Sequence, residues 1–370
     1  MQRKDVVNMR KCDVAAIIWP AFQKNEPRAK IFWEERYGEW QTVKERSPGQ
    51  PLWGYVNEAD PYVMEMQIEA ATRSGVNVFI YDWYWYDNRP FLEQCLNDGF
   101  LKAKNNEKMK FYLMWANHDA SALWDKRNSD DFDTIIWQGF QNREEFERIA
   151  ERIIEKYFKL PNYYQIDGKP VFMIYELRNL IKGFGSLKAT KEALAWFDKK
   201  TKEAGFKGVH LQHIRYEFEQ LDEIRKKEGV DMTEEQIAKE LGYSSMTHYQ
   251  FVNMFSMEDV TYEEGIELAK KVWDEKSESG ITYYPHVSLG WNRNPRLQFH
   301  DPFILKENTP ESVEKAFREA RKWVDKHPEQ APLIVVNSWN EWTEGSYFEP
   351  DTINGYGFLD AARKAFVDED

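Results

Sequence analysis

Eight short β-rich apolar runs, separated by longer charged stretches, constrain this chain more than any other feature of its 370 residues. The runs that read as strands cover residues 14–19, 76–83, 110–116, 170–175, 208–214, 244–251, 282–289 and 333–338. Between them, apolar spacing of the helical kind predicts helices over 62–74, 91–104, 143–157, 190–204, 262–277 and 310–327. Gly75, Gly205 and Gly280 sit where the left-handed residue after a helix belongs. Strands alternating with helices of this length pair in parallel, and eight of them predict an α/β fold with one closed (β/α)8 TIM barrel. A doubly wound sheet is the alternative, but no GxGxxG follows the first strand to support it.

Two stretches exceed what a plain barrel needs. Residues 21–62, after the first strand, are rich in Trp, Pro and charge (Trp33, Trp40, Trp53, Pro48, Pro51), and residues 217–242 form a charged helical insertion between strands five and six. The run 231–242 superficially resembles a helix-turn-helix; a solvated helical insertion on the barrel rim fits the acidic balance better. Without an internal repeat, low-complexity tract or linker, residues 1–370 read as a single domain.

A net charge of −13 leaves no basic patch to repay phosphate binding, which argues against nucleic acid and anionic membrane as partners. Cys12 and Cys95 are far apart and outside any CxxC or Cys/His cluster, so neither a disulfide framework nor structural zinc is expected. No apolar run approaches the ~20 residues that a bilayer crossing needs. The first twelve residues start basic but lack the apolar core of a signal peptide, which leaves the compartment open: periplasmic or surface if a leader was removed, otherwise cytoplasmic. The chain has 15 Trp, 19 Tyr and 23 Phe, and Trp or Tyr at strand ends suits the apolar faces of sugar rings.

Barrel enzymes carry their chemistry at the C-terminal ends of the strands. Here those ends hold Trp19; Asp82, Trp83 and Tyr84; Trp115, Asn117 and His118; Tyr175 and Glu176; His213; His248 and Tyr249; and Trp291 through Arg296. The last strand empties into Asn337, Asn340, Glu341 and Glu344, flanked by Trp339 and Trp342. Glycoside cleavage needs a proton donor for the leaving oxygen and a second carboxylate as base or nucleophile. Glu341 and Glu344 are spaced to share one face of a turn, where like-charge proximity pushes one pKa up. The bland alternative is a solvated pair capping the last helix.

Asp82 can bond a sugar hydroxyl, orient a base or simply cap the structure; Glu176 is a possible third carboxylate. Arg293 and Arg296 either steady a loop or meet a charged substrate, and Tyr163 and Tyr164 read as core. His118 and Asp119 are too close in sequence to ligate one metal comfortably, and His213, His248 and His286 lie on separate strand ends, so no metal or cofactor is expected.

The block Asn340-Glu341-Trp342-Thr343-Glu344-Gly345, followed by Phe348-Glu349-Pro350 and Gly355-Tyr356-Gly357-Phe358-Leu359, resembles the signature of WbsX-type proteins, which are similar to glycoside hydrolase family 99. The likeness recurs at Tyr81-Asp82-Trp83-Tyr84-Trp85, at Trp115-Ala116-Asn117, over 167–172 and over 290–296. The resemblance implies a (β/α)8 barrel and a bacterial enzyme of glycan breakdown, or a protein encoded near polysaccharide loci. In family 99, endo-acting α-mannosidases retain configuration because the substrate's own 2-hydroxyl attacks the anomeric carbon and forms a 1,2-anhydro sugar. Carried over, Glu341 is the assisting base and Glu344 the acid. Thr343 stands where family 99 has His, which frees the substrate from being a mannoside.

The expected function is thus a glycoside hydrolase cleaving an α-linked polysaccharide or glycan with retention, without cofactor. Asp82, Trp83, Tyr84, Trp115, Asn117, His118, Glu176, His248, Trp291, Asn337, Trp339, Asn340 and Trp342 are expected to line the sugar subsites. One rival is a glycosyltransferase of polysaccharide biosynthesis, which would need a diphosphate site; the chain has neither a DxD motif between strands nor a Gly-rich phosphate loop. The other is a glycan-binding barrel without catalysis, which has no use for two Glu at one strand exit.

Overall fold

A computed structural model describes residues 11–34, 37–127, 134–216, 221–297 and 299–368. The amino-terminal stretch discussed as a leader, up to residue 10, and the first four residues of the 217–242 insertion lie outside them.

All eight expected strands form: β1 (Asp13–Ile18), β2 (Val78–Tyr86), β3 (Lys110–Trp115), β4 (Lys169–Ile174), β5 (His210–Ile214), β6 (Ser245–Thr247), β7 in two pieces (Thr282–Tyr283 and His286–Ser288) and β8 (Leu333–Asn337). Each pairs in parallel with its neighbour, and β1 pairs with both β2 and β8. Closure depends on β7. Its first piece pairs with β6 (Ser245 opposite Thr282) and its second with β8 (His286 opposite Val335). Pro285 lies between the pieces and has no N–H to give to a ladder. Tyr284 N still donates to Met246 O and Val335 N to Pro285 O, both at 3.0 Å, so the curled sheet comes round on itself as a barrel. The strands are buried on both faces, by the barrel interior on one side and the helices on the other, which is why they read as unbroken apolar runs.

Among the described residues, ten helices surround the strands: α1 (Trp40–Arg46), α2 (Pro61–Arg73), α3 (Arg143–Ile153), α4 (Leu177–Phe184), α5 (Leu187–Glu203), α6 (Asp222–Glu228), α7 (Glu234–Leu241), α8 (Tyr262–Ser277), α9 (Pro310–Asp325) and α10 (Gly357–Phe366). Asp60, Thr261 and Thr309 cap the starts of α2, α8 and α9 with side-chain oxygens. Gly75, Gly205 and Gly280 follow their helices at φ of 86°, 99° and 81°, as the sequence requires.

The expected helix over 91–104 is not regular. Arg89–Phe91 folds back antiparallel on the end of β2, and a π turn (Cys95–Gly99) and a 3-10 turn (Phe100–Lys102) replace the rest. Gly99 is the physical cause: a Cβ there would lie 2.1 Å from the Glu58 carbonyl, so the segment is squeezed beneath the loop after β1. The 217–242 insertion carries α6 and α7 as expected. Glu234 and Glu235 at the start of α7 bond His213 and Arg215 at the end of β5, both at 2.7 Å, and tie the insertion to the barrel.

Candidate active site

After β8 the chain makes a short hairpin, Asn340–Glu341 against Ser346–Tyr347, with a 3-10 turn, Trp342–Glu344, at its tip. Ser338 Oγ accepts from Glu341 N at 2.8 Å, and Gly345 ends the turn at φ 64°. Glu341 is buried and Glu344 reaches partly to solvent.

Arg296 lies between the two glutamates. It is carried on a 3-10 turn, Asn294–Arg296, after β7. Its Nη2 lies 3.2 Å from both oxygens of Glu341 and its Nη1 2.5 Å from Glu344 Oε1. On its other edge, Nε lies 3.1 Å from Glu39 Oε1, and Trp19 Nε1 donates to Glu39 Oε2 at 2.6 Å. The guanidinium stands 5.7 Å from the Trp19 ring centroid. Three carboxyl groups therefore converge on one planar cation, whose forked donors suit this many acceptors.

Burial pushes Glu341 well above the usual carboxylate range; Arg296 opposes that shift, and the neighbouring charges of Glu344 and Glu39 reinforce it. Glu344 is raised by the same burial against the same cation. Burial also works against the charge of Arg296, but Glu341, Glu39 and Glu344 outweigh it and hold the guanidinium protonated. Two carboxyls this tightly linked exchange protons as a pair rather than as independent groups.

Across the mouth, β2 contributes Asp82. Its Oδ2 accepts from Tyr249 at 3.3 Å and from Tyr84 at 3.4 Å, while its buried Oδ1 has no partner. Burial raises Asp82 well above its ordinary value, the Tyr249 hydrogen bond opposing and the charge of Glu344 adding to the shift. The outer oxygen of Glu344 and the indole N–H of Trp291, at the β7 exit, are likewise without partners. His118 sits beside Tyr84, Trp124 and Tyr175, with ring centroids 5.4–5.7 Å apart, and burial lowers its pKa. Glu176 is raised by burial against the opposing charge of Arg178, 2.6 Å away at the rim.

Of the residues expected to line the cleft, Asp82, Tyr84, His118, Glu176 and Trp291 lie at its mouth. Others do not, because side chains along a strand alternate between the barrel interior and the helical layer. With Asp82 and Tyr84 turned inward, Trp83 turns outward and donates to Glu93 at 3.0 Å. Trp115 stacks on Phe146 of α3. His248 bonds Tyr283 at 2.8 Å, while its neighbour Tyr249 reaches Asp82. Asn117 bridges the β3 and β4 exits through both backbone groups of Glu176. Asn340 is engaged with the backbone of Trp19 and with Glu58; Asn337 accepts from Gln250 through Oδ1, while its buried Nδ2 has no partner. Trp339 is packed against Phe79 and Phe348, and Trp342 is stacked on Tyr347 at 3.9 Å, so neither offers a face to a sugar.

Sequence reasoning missed Glu39, named Tyr249 only as a strand-end residue beside His248, and left Arg296 as a loop anchor or substrate contact. Glu39 lies in the long segment after β1 and had no local signal. Arg293 does steady the loop, through Asp301 at 2.5 Å. Among the described residues, no group of three His, Cys, Asp or Glu is placed to hold a metal ion.

Solved structures of known proteins share this architecture. A GH99 endo-alpha-mannosidase from Bacteroides thetaiotaomicron, solved in complex with BIS-TRIS-propane, superposes with a TM-score of 0.62 at 13% identity over 95% of both chains. A glycoside hydrolase-like protein gives 0.61 at 15% identity, covering 97% of this chain and 95% of its own. At such identities the likeness is one of fold alone. The uncharacterized protein WxcX of Xanthomonas campestris pv. campestris (strain B100) is 26% identical over 92% of this chain and 48% of its own length. The chain thus spans about half the length of the curated relatives it matches. Residues 14–362 match the family described as glycosyltransferase WbsX, and the chain belongs to that family.

Proposed function

We propose that residues 1–370 form one catalytic domain that hydrolyses an α-linked glycan with retention, using Glu341 and Glu344. The observation that carries this reading is the pair of glutamates, Glu341 buried and Glu344 reaching partly to solvent, on opposite arms of Arg296 at the C-terminal mouth of the barrel. Burial keeps a proton available on the pair, and the guanidinium keeps a carboxylate charged beside it, so acid and base coexist near neutrality. Glu344 gives its proton to the leaving oxygen as the bond to the anomeric carbon breaks. The sugar's 2-hydroxyl closes on that carbon and passes its proton to Glu341. Water then opens the 1,2-anhydro sugar, losing a proton to Glu344 while Glu341 returns one to O2. Net negative charge around a single guanidinium favours the oxocarbenium-like transition state of such a reaction. The partnerless oxygens of Asp82 and Glu344 and the Trp291 N–H are available to sugar hydroxyls. A sugar without a 2-hydroxyl trans to the leaving group would need a double displacement or inversion instead.

The family description favours a second reading, a transferase acting on a nucleotide sugar. Incubation with α-mannan, rhamnan-containing and N-glycan substrates, beside Glu341→Gln and Glu344→Gln, separates the readings. Sugar released by the wild type and lost in both variants supports the hydrolase. Turnover only with a nucleotide sugar supports the transferase, and binding without product, unchanged by either substitution, supports a glycan-binding barrel.

A further inference from the structure

Behind the glutamate turn lies a second pair of buried carboxyls that the reaction above does not use. Glu58, from the loop after β1, and Glu349, from the bend after the hairpin, are both buried and meet at the side-chain amide of Gln67. The contacts of the pair run directly to the residues on either side of Glu341. Asn340 Nδ2 donates to both oxygens of Glu58 at 3.0 Å, and Trp342 Nε1 donates to Glu349 Oε2 at 2.6 Å. Gln67 of α2 bridges the pair, with its Nε2 3.1 Å from Glu58 and 2.6 Å from Glu349, and its Oε1 accepts from Trp339 at 3.1 Å. Cys95 also points at Glu58.

Every partner that Glu58 and Glu349 take is a donor, and Gln67 Nε2 holds an oxygen of each, so the two carboxyls can bond one another only by sharing a proton. We infer that Glu58 and Glu349 are positioning residues, a proton-sharing latch that fixes Asn340 and Trp342 and thereby aims Glu341. The inference rests on the hydrolase reading only for its effect on turnover; the latch itself is a property of the fold.

The groups that face the pair give the sense of its pH response. Tyr81 of β2 and Cys95 of the π turn are the titratable neighbours, and both are themselves raised by burial; Gln67, Asn340 and Trp342 are neutral. Burial raises Glu58 from 4.5 to about 7, with the hydrogen bonds from Gln67 and Asn340 opposing the shift, and burial with the charge of Glu58 raises Glu349 well above its ordinary value. Opening the hairpin would hydrate Glu58 and release its proton. Opening therefore becomes easier as pH rises from about 4.5 to about 7, by about tenfold per pH unit for the Glu58 proton.

Hydrogen exchange of peptides covering 338–349 tests this, in the wild type and in Glu58→Gln and Glu349→Gln. After correction for intrinsic exchange, wild-type protection is expected to fall about tenfold more per pH unit over that window than that of either variant, the slope from Glu341 and Glu344 being common to all three. Flat wild-type protection, or the same slope in both variants, overturns the latch. Should the variants fail to fold, infrared spectra of the wild type, Asp82→Asn, Glu341→Gln and Glu344→Gln decide. A protonated-carboxyl band lost between about pH 5 and about pH 8 that remains in all three variants supports the latch, and the absence of such a band overturns it. The pH slope without any glycan turnover would sink the hydrolase reading and leave the latch standing. Turnover with a flat slope would do the reverse.

Discussion

Glu39 and Arg296, 257 residues apart, meet in a buried ion pair with Nε 3.1 Å from Oε1. Through this pair the loop after β1 is locked to the loop after β7, with Trp19 holding Glu39 in place. Among the described residues, the guanidinium is also the only cation in an ion pair with Glu341 and Glu344. Removing one partner from such a cluster leaves buried charge uncompensated, at a cost of about 3–5 kcal/mol. Arg296→Met is therefore expected to lower the unfolding free energy by about that amount in denaturant titration. Arg296→Lys should recover little, because a point charge cannot serve three carboxyls at once. An unchanged midpoint for Arg296→Met would mean that the carboxyls already share enough protons to need no cation.

Asp82 predicts a stability change with pH. Its native pKa is raised by burial, so the folded state keeps a proton that the unfolded chain releases at about 4. Stability from this group is full below that point and is lost as pH rises through the native value. The loss is about 1.4 kcal/mol for each pH unit over which only the unfolded chain is ionised. Asp82→Asn keeps the shape and removes the titration. The melting temperature of the variant minus that of the wild type should therefore grow as pH rises from about 5 to about 9. Parallel curves would show that Asp82 titrates normally. Glu341 and Glu344 contribute the same slope to both proteins and cancel.

The barrel was legible because its strands are buried on both faces and so appear as eight apolar runs, and the glutamate pair because a charged turn following such a run is conspicuous. Side-chain direction was not legible. Trp83, Trp115 and His248 stand at strand ends as plainly as Asp82, Tyr84 and Tyr249, but one residue of register decides whether a side chain enters the cleft or the helical layer. Trp339 and Trp342 read as sugar platforms, yet their indole N–H groups bond Gln67 and Glu349 and anchor the turn from behind. Glu39 found its role only through a partner distant in sequence, which no local pattern encodes.

Gly290, just after β7, reports on the same turn. A Cβ there would lie 2.3 Å from the Gly345 carbonyl and 2.6 Å from Asn308 Nδ2, and backbone cannot yield as a flexible side chain does. Gly290→Ala is expected to destabilise by about 1–3 kcal/mol, as overpacking does. Because Gly345 directly follows Glu344, turnover should fall further than stability alone explains, at temperatures where the variant remains folded. Wild-type turnover per folded molecule would show instead that the turn absorbs the clash without moving Glu344.

In the proposed hydrolysis the two glutamates differ in what each gives to the leaving group, and that difference can be measured. Glu344→Gln removes the proton donor, a loss of the order of 10²–10⁴ in rate for a glycan whose leaving oxygen needs protonation. An activated aryl glycoside of the sugar identified by the substrate panel departs without a proton, so Glu344→Gln should recover most of its rate on that substrate. Glu341→Gln removes assistance to the attacking hydroxyl, which the leaving group does not change, and should stay impaired on both. Equal impairment of the two variants on the activated substrate would assign Glu344 a binding or electrostatic role and leave the acid to be sought elsewhere, with Asp82, whose pKa burial raises, a candidate across the mouth.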